Sequence, residues 1–377
     1  MRHSGRARGA AGALALGLAL GPGLGARAAG AEPGEAARAR AAPIAIAHRG
    51  ASGHLPEHTL AAYALAILQG ADFIEPDLVI TRDGVLIARH DNELGATTDV
   101  AAHPELASRR RSKRVDGREL TGWFSEDLSL AELRRLRAVE RIPELRPQSR
   151  RFDGDFGVPT FEEVVRLARS LEPVVGRPIG LYPETKHPGH FRALGLPLEP
   201  ELVRILHEHG YRGPEARVFL QSFEPTSLRA LARLTQLPRA QLLAPRGAPP
   251  DTAAAGGARS YAEMATPAGL AEIARHAQVV GVEKGMLLAP DAAGALHSER
   301  ATPLVRDAHA AGLLVHVYTF REENAFLPAS LRRGGDPAAP GELERELRSF
   351  LALGIDGFFC DQPAAAVRAR DAFRAQR

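Results

Sequence analysis

The chain has 377 residues, 45% of them hydrophobic and 25% charged, with a net charge of +3. This is a globular composition, sized for one large domain or two ordinary ones. The single cysteine, Cys360, excludes an intramolecular disulfide and a cysteine zinc cluster, so any metal here takes oxygen or imidazole ligands.

The N-terminus reads as a targeting segment. Arg2, His3, Arg6 and Arg8 precede a small apolar stretch at 10–20, then Gly21-Pro22-Gly23 and the small-x-small pattern Ala26-Arg27-Ala28. The apolar core is too short to span a bilayer, and no cysteine near the cut offers a lipid anchor. Residues 1–28 are expected to be a signal peptide and 29–42 a linker, with the protein periplasmic or secreted. The alternative is an Ala/Gly/Arg-rich leader with no export role.

From Pro43 onward, short apolar runs alternate with helical patterns. Strands are predicted at 44–48, 73–80, 179–184, 217–221, 240–243, 278–283, 313–319 and 357–360, with 85–89 as a hairpin partner of the second. Such continuous apolar runs suit parallel strands buried on both faces. Helices are predicted at 57–69, 160–170, 201–209, 225–234, 267–277, 303–311 and 342–353. Thr160 with Glu163 has the spacing of a capping box. Gly70, Gly210, Gly312 and Gly354 stand where helices end. Eight strand positions alternating with helices predict an α/β fold, a (β/α)8 TIM barrel over 43–377. Its roughly 335 residues exceed the typical ~250 of that fold. The surplus is an insertion at about 92–158, after the second strand, expected to pack over one face of the barrel. It carries the basic run 109–114, which is read as a solvated loop because no aromatic residues are interleaved with it. No nucleic-acid partner and no stable membrane insertion are expected. The stretch 245–261, rich in Pro, Gly and Ala, is read as a loop.

Side chains at the C-terminal ends of barrel strands converge on one mouth. Strand one delivers His48 and Arg49, strand two Glu75 and Asp77, the hairpin after it His90, and strand three Glu184 followed by Lys186. Alone, His48-Arg49-Gly50 reads first as a strand end with two solvated polar residues and a turn glycine, and the alternative for Glu75-x-Asp77 is a pair of surface carboxylates. But Glu75 and Asp77 sit inside an apolar strand, where carboxylates must be paired or metal-bound. Three carboxylates make a hard-oxygen site for Ca2+ or Mg2+. Two histidines beside it suit general acid–base work, and Arg49 and Lys186 suit a phosphate. The composite is a metal-dependent phosphodiesterase site. Gln221, Glu283 and Tyr318, near the ends of later strands, either line a substrate cup or are ordinary strand-end polar groups.

Several stretches carry a family resemblance. Residues 47–59, AHRGASGHLPEHT, and 70–78, GADFIEPDL, resemble the opening motifs of the glycerophosphodiester phosphodiesterases. Asp83-Gly84, His90-Asp91, Thr97-Thr98-Asp99, Tyr182-Pro183-Glu184-Thr185-Lys186 and the closing 354–363, GIDGFFCDQP, are similar as well. The resemblance runs from about 44 to 366 and is greatest to the exported bacterial subgroup that uses Ca2+. It implies hydrolysis of glycerophosphodiesters, such as glycerophosphocholine and glycerophosphoethanolamine, to sn-glycerol 3-phosphate and an alcohol. It further implies a place in the metabolism of glycerol and phospholipid-breakdown products. By motif, His48 and His90 would be the acid–base pair and Glu75, Asp77 and Glu184 the metal ligands. Arg49 and Lys186 would contact phosphate or support the metal site. Ca2+ is favoured over Mg2+ by this resemblance alone. Three positions depart from the family pattern. Pro76 precedes Asp77 and leaves the Glu75 geometry in question. His58 replaces a common asparagine and is read as a helix-start residue. Cys360 replaces a common threonine and is read as a small buried residue. Two readings stand beside this one: a related barrel phospholipase acting on intact lipids, with Trp123-Phe124 as its membrane contact, and an exported binder without turnover, against which the acid–base pair argues. Oligomeric state is open, a homodimer being one option.

Overall fold

The computed structural model describes residues 42–253 and 259–376. The expected signal peptide, the linker through residue 41 and the tip of the 245–261 loop lie outside the described residues. The strands are β1 (Ile44–His48), β2 (Phe73–Glu75), β3 (Asp77–Ile80), β4 (Leu86–Ala88), β5 (Arg111–Val115), β6 (Arg118–Gly122), β7 (Gly180–Leu181), β8 (Glu184–Thr185), β9 (Leu220–Ser222), β10 (Arg239–Leu243), β11 (Val279–Glu283), β12 (Leu314–Phe320) and β13 (Gly357–Cys360). Their order in the main sheet is β4-β3-β8-β9-β10-β11-β12-β13-β1-β2-β7.

This linear order is a barrel cut at one seam. The predicted second strand breaks at Pro76, which has no N–H for the ladder, so β2 and β3 form one interrupted stave. The third breaks at Tyr182-Pro183 in the same way. Because β2 pairs with β7 and β3 with β8, both parallel, the same two staves stand at both ends of the order and the sheet closes. Eight parallel staves result, as expected for a TIM barrel.

A helix follows each stave: α1 (Leu60–Leu68), α2 (Phe161–Val175), α3 (Leu198–Glu208), α4 (Pro225–Leu234), α5 (Pro267–Ile273), α6 (Leu304–Ala310), α7 (Leu343–Leu351) and α8 (Pro363–Arg374). The Thr160/Glu163 capping box is formed at the start of α2. The four glycines expected to end helices, Gly70, Gly210, Gly312 and Gly354, all have positive φ. The core divides by location. Two large clusters lie between staves and helices, and a smaller one fills the barrel with Ile46, Phe73, Tyr182, Ala240, Val279 and Phe359. Burying each larger one of these contributes about 1.5–3 kcal/mol. Gly180 makes room for this filling, since a Cβ there would meet the Phe73 ring at 2.1 Å.

Four local readings are corrected. Helix α1 begins at Leu60 and not at 57, because Thr59 caps it by accepting from the Ala62 N–H, which leaves Glu57 and His58 in the preceding turn. The basic run is not a loop: 111–115 pairs with 118–122 as a hairpin, turned by Asp116 and Gly117 with φ of 47° and 78°. Its charges are tied down, Lys113 to Glu126 and Asp127 and Arg111 to Asp127. Trp123 is half-buried with its indole N–H on the Leu106 carbonyl, and Phe124 is fully buried, so this pair offers no membrane contact. Helix α8 was not anticipated; its alanine-rich sequence shows little apolar contrast. The insertion is packed into the barrel's own core through Leu94, Val100, Leu106, Leu128, Leu133 and Leu136.

Candidate active site

Side chains alternate along a strand, so residues two apart from a barrel-filling side chain also face inward. Counting up from the filled interior, Ile46 leads to His48, Phe73 to Glu75 and Asp77, and Tyr182 to Glu184 and Lys186. Phe219 leads to Gln221, Val279 to Glu283, and Leu314 through His316 to Tyr318. All these end points line one cavity of about 380 Å3 at the C-terminal mouth, together with Arg49, His90, Phe223, Phe326 and Phe359. Every residue selected from the sequence as a site candidate therefore reaches the same space. The volume lies in the range of small-molecule sites.

One wall is acidic. Glu75, Asp77 and Glu184 are buried, and each offers a carboxylate oxygen within 4.8 Å of the others. Register explains this: Asp77 pairs with Glu184 across β3 and β8, and Glu75 precedes Asp77 by two. The missing N–H of Pro76 does not disturb the wall, since the Pro76 carbonyl still accepts from the Glu184 N–H at 2.9 Å. Burial, with Asp77 and Glu184 adding to it, pushes the Glu75 carboxyl well above the usual range. Burial also raises Glu184, to about 8, with Lys186 opposing and Asp77 reinforcing. For Asp77 burial is outweighed by Lys186, His90 and His58, which hold it low. Among the described residues Asp77 Oδ1 accepts from no donor; Lys186 Nζ stands 3.9 Å away. A crowded set of hard oxygens with one unsatisfied buried oxygen fits a divalent cation, and Glu75, Asp77 and Glu184 are the residues that could hold it.

The opposite groups are basic. His48 Nδ1 lies 2.6 Å from Asp361 Oδ1 and His90 Nδ1 2.9 Å from Asp91 Oδ1. An ionised carboxylate only accepts, so each Nδ1 carries the proton and each Nε2 keeps its lone pair. Lys186 Nζ donates to His90 Nε2 at 3.2 Å and to Glu184 Oε1 at 2.8 Å. Burial, then Arg49, lower His48 to about 4; burial, Arg49 and Lys186 lower His90 to about 3. Both rings are neutral near pH 7.

Arg49 follows β1 directly and adopts φ of 59°, with Gly50 at 86°. That turn sends its backbone N–H to Glu75 Oε2 at 2.8 Å, while its guanidinium reaches Glu57 and Asp77. Gly50 is required: a Cβ would sit 2.8 Å from the Ala62 carbonyl carbon and clash with α1. Gln221 donates to Glu75 Oε1 at 3.0 Å, and Tyr318 donates to the Leu243 carbonyl at 2.7 Å.

Three site residues were passed over in the sequence. His58 is fully buried, with Nε2 2.9 Å from Asp77 Oδ2 and Nδ1 2.6 Å from the Tyr63 hydroxyl. It orients a carboxylate of the acidic wall and is not merely a helix-start residue. Asp361 and Asp91 orient the two histidines. Asp91 adjoins His90 and Asp361 lies in the closing 354–363 motif, a signal that was present and unused.

An α/β barrel with an acidic cradle, two oriented histidines and flanking cations defines a hydrolase site for an anionic ester. The comparisons name the family. Residues 48–365 match the Glycerophosphoryl diester phosphodiesterase family. A glycerophosphodiester phosphodiesterase of Arabidopsis thaliana is 36% identical over 333 residues, covering 85% of this chain and 83% of its own. One from Haemophilus influenzae is 31% identical over 306 residues, covering 74% and 79%. In fold, the chain is similar to an Oleispira antarctica phosphodiesterase solved in complex with the product sn-glycerol-3-phosphate. The TM-score is 0.56, with 20% identity and coverage of 88% of this chain and 97% of that one. It is also similar to a Silicibacter pomeroyi protein, with TM-score 0.59, 21% identity and coverage of 88% and 94%. The chain belongs to the glycerophosphoryl diester phosphodiesterase family, and its enzymatic activity is that of a glycerophosphodiester phosphodiesterase.

Proposed function

We propose that the chain hydrolyses glycerophosphodiesters such as glycerophosphocholine and glycerophosphoethanolamine to sn-glycerol 3-phosphate and an alcohol, by metal-dependent catalysis with His48 and His90 as the acid–base pair. The observation carrying this reading is that both histidines, each fixed by a carboxylate, share one cavity with Glu75, Asp77 and Glu184. The product bound to the Oleispira antarctica relative supports the same product here. Glu75, Asp77 and Glu184 would hold a divalent cation, which would supply Lewis-acid polarisation and offset the charge of the phosphate. Arg49 and Lys186, which reach Asp77 and Glu184, are assigned to phosphate oxygens. One neutral histidine accepts the proton of the substrate's glycerol 2-hydroxyl as that oxygen bonds to phosphorus. The other takes up a proton in the substrate complex, where the anionic phosphate offsets the cations that keep the free ring neutral, and delivers it to the leaving alcohol oxygen as the P–O bond breaks. Water then opens the cyclic phosphate with the two roles exchanged, and both histidines return to their starting states. Gln221, Glu283 and Tyr318 are assigned to the substrate-facing lining.

Ca2+ is proposed as the metal, with Mg2+ as the alternative, on the family resemblance. Export to the periplasm or beyond is proposed on the N-terminal pattern; the N-terminal sequence of the mature protein tests it. The acid–base assignment is tested by coupling release of sn-glycerol 3-phosphate to its dehydrogenase. Wild-type protein is expected to turn over glycerophosphocholine, with His48→Ala and His90→Ala each reduced by roughly 10²–10⁴-fold. Normal turnover in either variant would sink the assignment. The phospholipase alternative loses its membrane-contact candidate, since Phe124 is fully buried and Trp123 half-buried.

A further inference from the structure

The insertion reaches into the active site through two arginines five residues apart. Arg141 donates from Nη1 to Asp91 Oδ2 at 2.8 Å and holds Glu57 with Nε and Nη2 at 2.9 and 2.7 Å. Arg146 donates from Nη2 to Asp361 Oδ2 at 2.5 Å, from Nε to Glu323 Oε1 at 2.5 Å and from Nη1 to the Ser52 carbonyl at 2.8 Å. In each case the aspartate's other oxygen, Oδ1, faces a histidine: Asp91 faces His90 and Asp361 faces His48. The site thus contains two histidine–aspartate–arginine chains, and both arginines come from the same short stretch of the insertion.

We propose that the insertion is a working part of the catalytic centre, with Arg141 and Arg146 as positioning residues that hold Asp91 and Asp361 and so fix the tautomer and direction of His90 and His48. A carboxylate anchored at one oxygen by a guanidinium presents the other as a fixed acceptor for an imidazole N–H. Without that anchor the aspartate can rotate, and the ring it orients loses its aim at the substrate. The two chains differ in their bracing. Asp361 Oδ2 is also held by Arg321 Nε at 2.8 Å, so it keeps one cation when Arg146 is removed. Asp91 has Arg141 as its one guanidinium partner among the described residues. Arg141 also braces Glu57, which in turn holds Arg49. Loss of Arg141 is therefore expected to raise KM as well as lower kcat, whereas loss of Arg146 falls on kcat.

The inference rests on the His48/His90 reading, and its test is separable from that one. The full chain is assayed as Arg141→Gln, Arg146→Gln and the corresponding lysine variants, on glycerophosphocholine and on the p-nitrophenyl ester of glycerol 3-phosphate. Choline needs a proton to leave and nitrophenolate does not. The rate ratio between the two esters is independent of the fraction of protein folded. The arginine serving the acid histidine is expected, when replaced, to lower the choline-to-nitrophenyl ratio by about tenfold or more. The arginine serving the base is expected to slow both esters alike, and lysine to restore part of each loss. Wild-type rates in both variants, or an unchanged ratio in both, would overturn the inference. If that happens while His48→Ala and His90→Ala remain inactive, the acid–base reading survives and only the role of the insertion fails.

Discussion

A histidine that exchanges protons with substrate needs its second ring nitrogen held, and here each Nδ1 has its own aspartate. The acidic wall is held in the same manner. His58, with Tyr63 behind it, fixes one oxygen of Asp77 and leaves the other exposed to Glu184 and Lys186. His58→Phe is expected to weaken binding of a divalent cation to the apo protein about 10–100-fold, read by calorimetry. Unchanged affinity would show that Asp77 needs no such support. These supporting residues mark the limit of sequence reading at this scale. Glu184, His48 and His90 were legible because each is a polar residue ending an apolar strand or a hairpin, and Glu75 and Asp77 because they are carboxylates set inside an apolar stretch. His58 was not, because a hydrogen bond spanning 19 residues leaves no local pattern; Asp361 stood in the closing motif, but nothing local tied it to His48 across 313 residues.

At the scale of elements, the turn from β1 into α1 does the most with the least. Arg49 and Gly50 reverse the chain so that one residue's backbone and side chain both serve the acidic wall. Gly50→Ala is expected to cost about 1–3 kcal/mol of stability, since it combines a strained φ with a clash against Ala62. Activity should fall together with the melting temperature, because the same turn places Arg49. A variant with unaltered stability would contradict this account of the turn. Element types were mostly legible, through apolar runs, the Thr160 cap and the helix-ending glycines. Pro76 was legible as an irregular position in the second strand, but neither it nor Pro183 marked a strand boundary, because each stave resumes after one or two residues. The 111–122 hairpin was masked by its charges, although Asp116-Gly117 is a hairpin turn signal.

Over the whole molecule, the barrel's inward register both fills the core and delivers the site, so fold and function share one alternation. That register also buries histidine. His316 lies inside the barrel, 2.8 Å from the Tyr182 hydroxyl, and burial lowers it to about 4, with Asp356 opposing weakly. Between roughly pH 6.5 and pH 4 the unfolded chain binds a proton there that the folded chain does not. Folding stability contributed at this site is therefore present above pH 6.5 and lost as pH falls toward 4, by at most about 3 kcal/mol. His316→Gln is expected to flatten the acid limb of a stability profile measured by denaturant unfolding; an unaltered limb would show that the ring titrates freely. The α/β barrel itself was legible from eight alternations of strand and helix. The contribution of the insertion was not, since nothing in 92–158 announces which carboxylates its arginines meet.

The central claim is that Glu75, Asp77 and Glu184 hold a divalent cation required for turnover. The most direct measurement is the rate of glycerophosphocholine hydrolysis by chelator-treated protein as Ca2+ or Mg2+ is added back, with Glu184→Ala alongside. The rate is expected to vanish on chelation and to recover saturably with metal in the wild type, and not to recover in Glu184→Ala. Full activity surviving complete chelation, or metal-restored activity in Glu184→Ala equal to wild type, would contradict it.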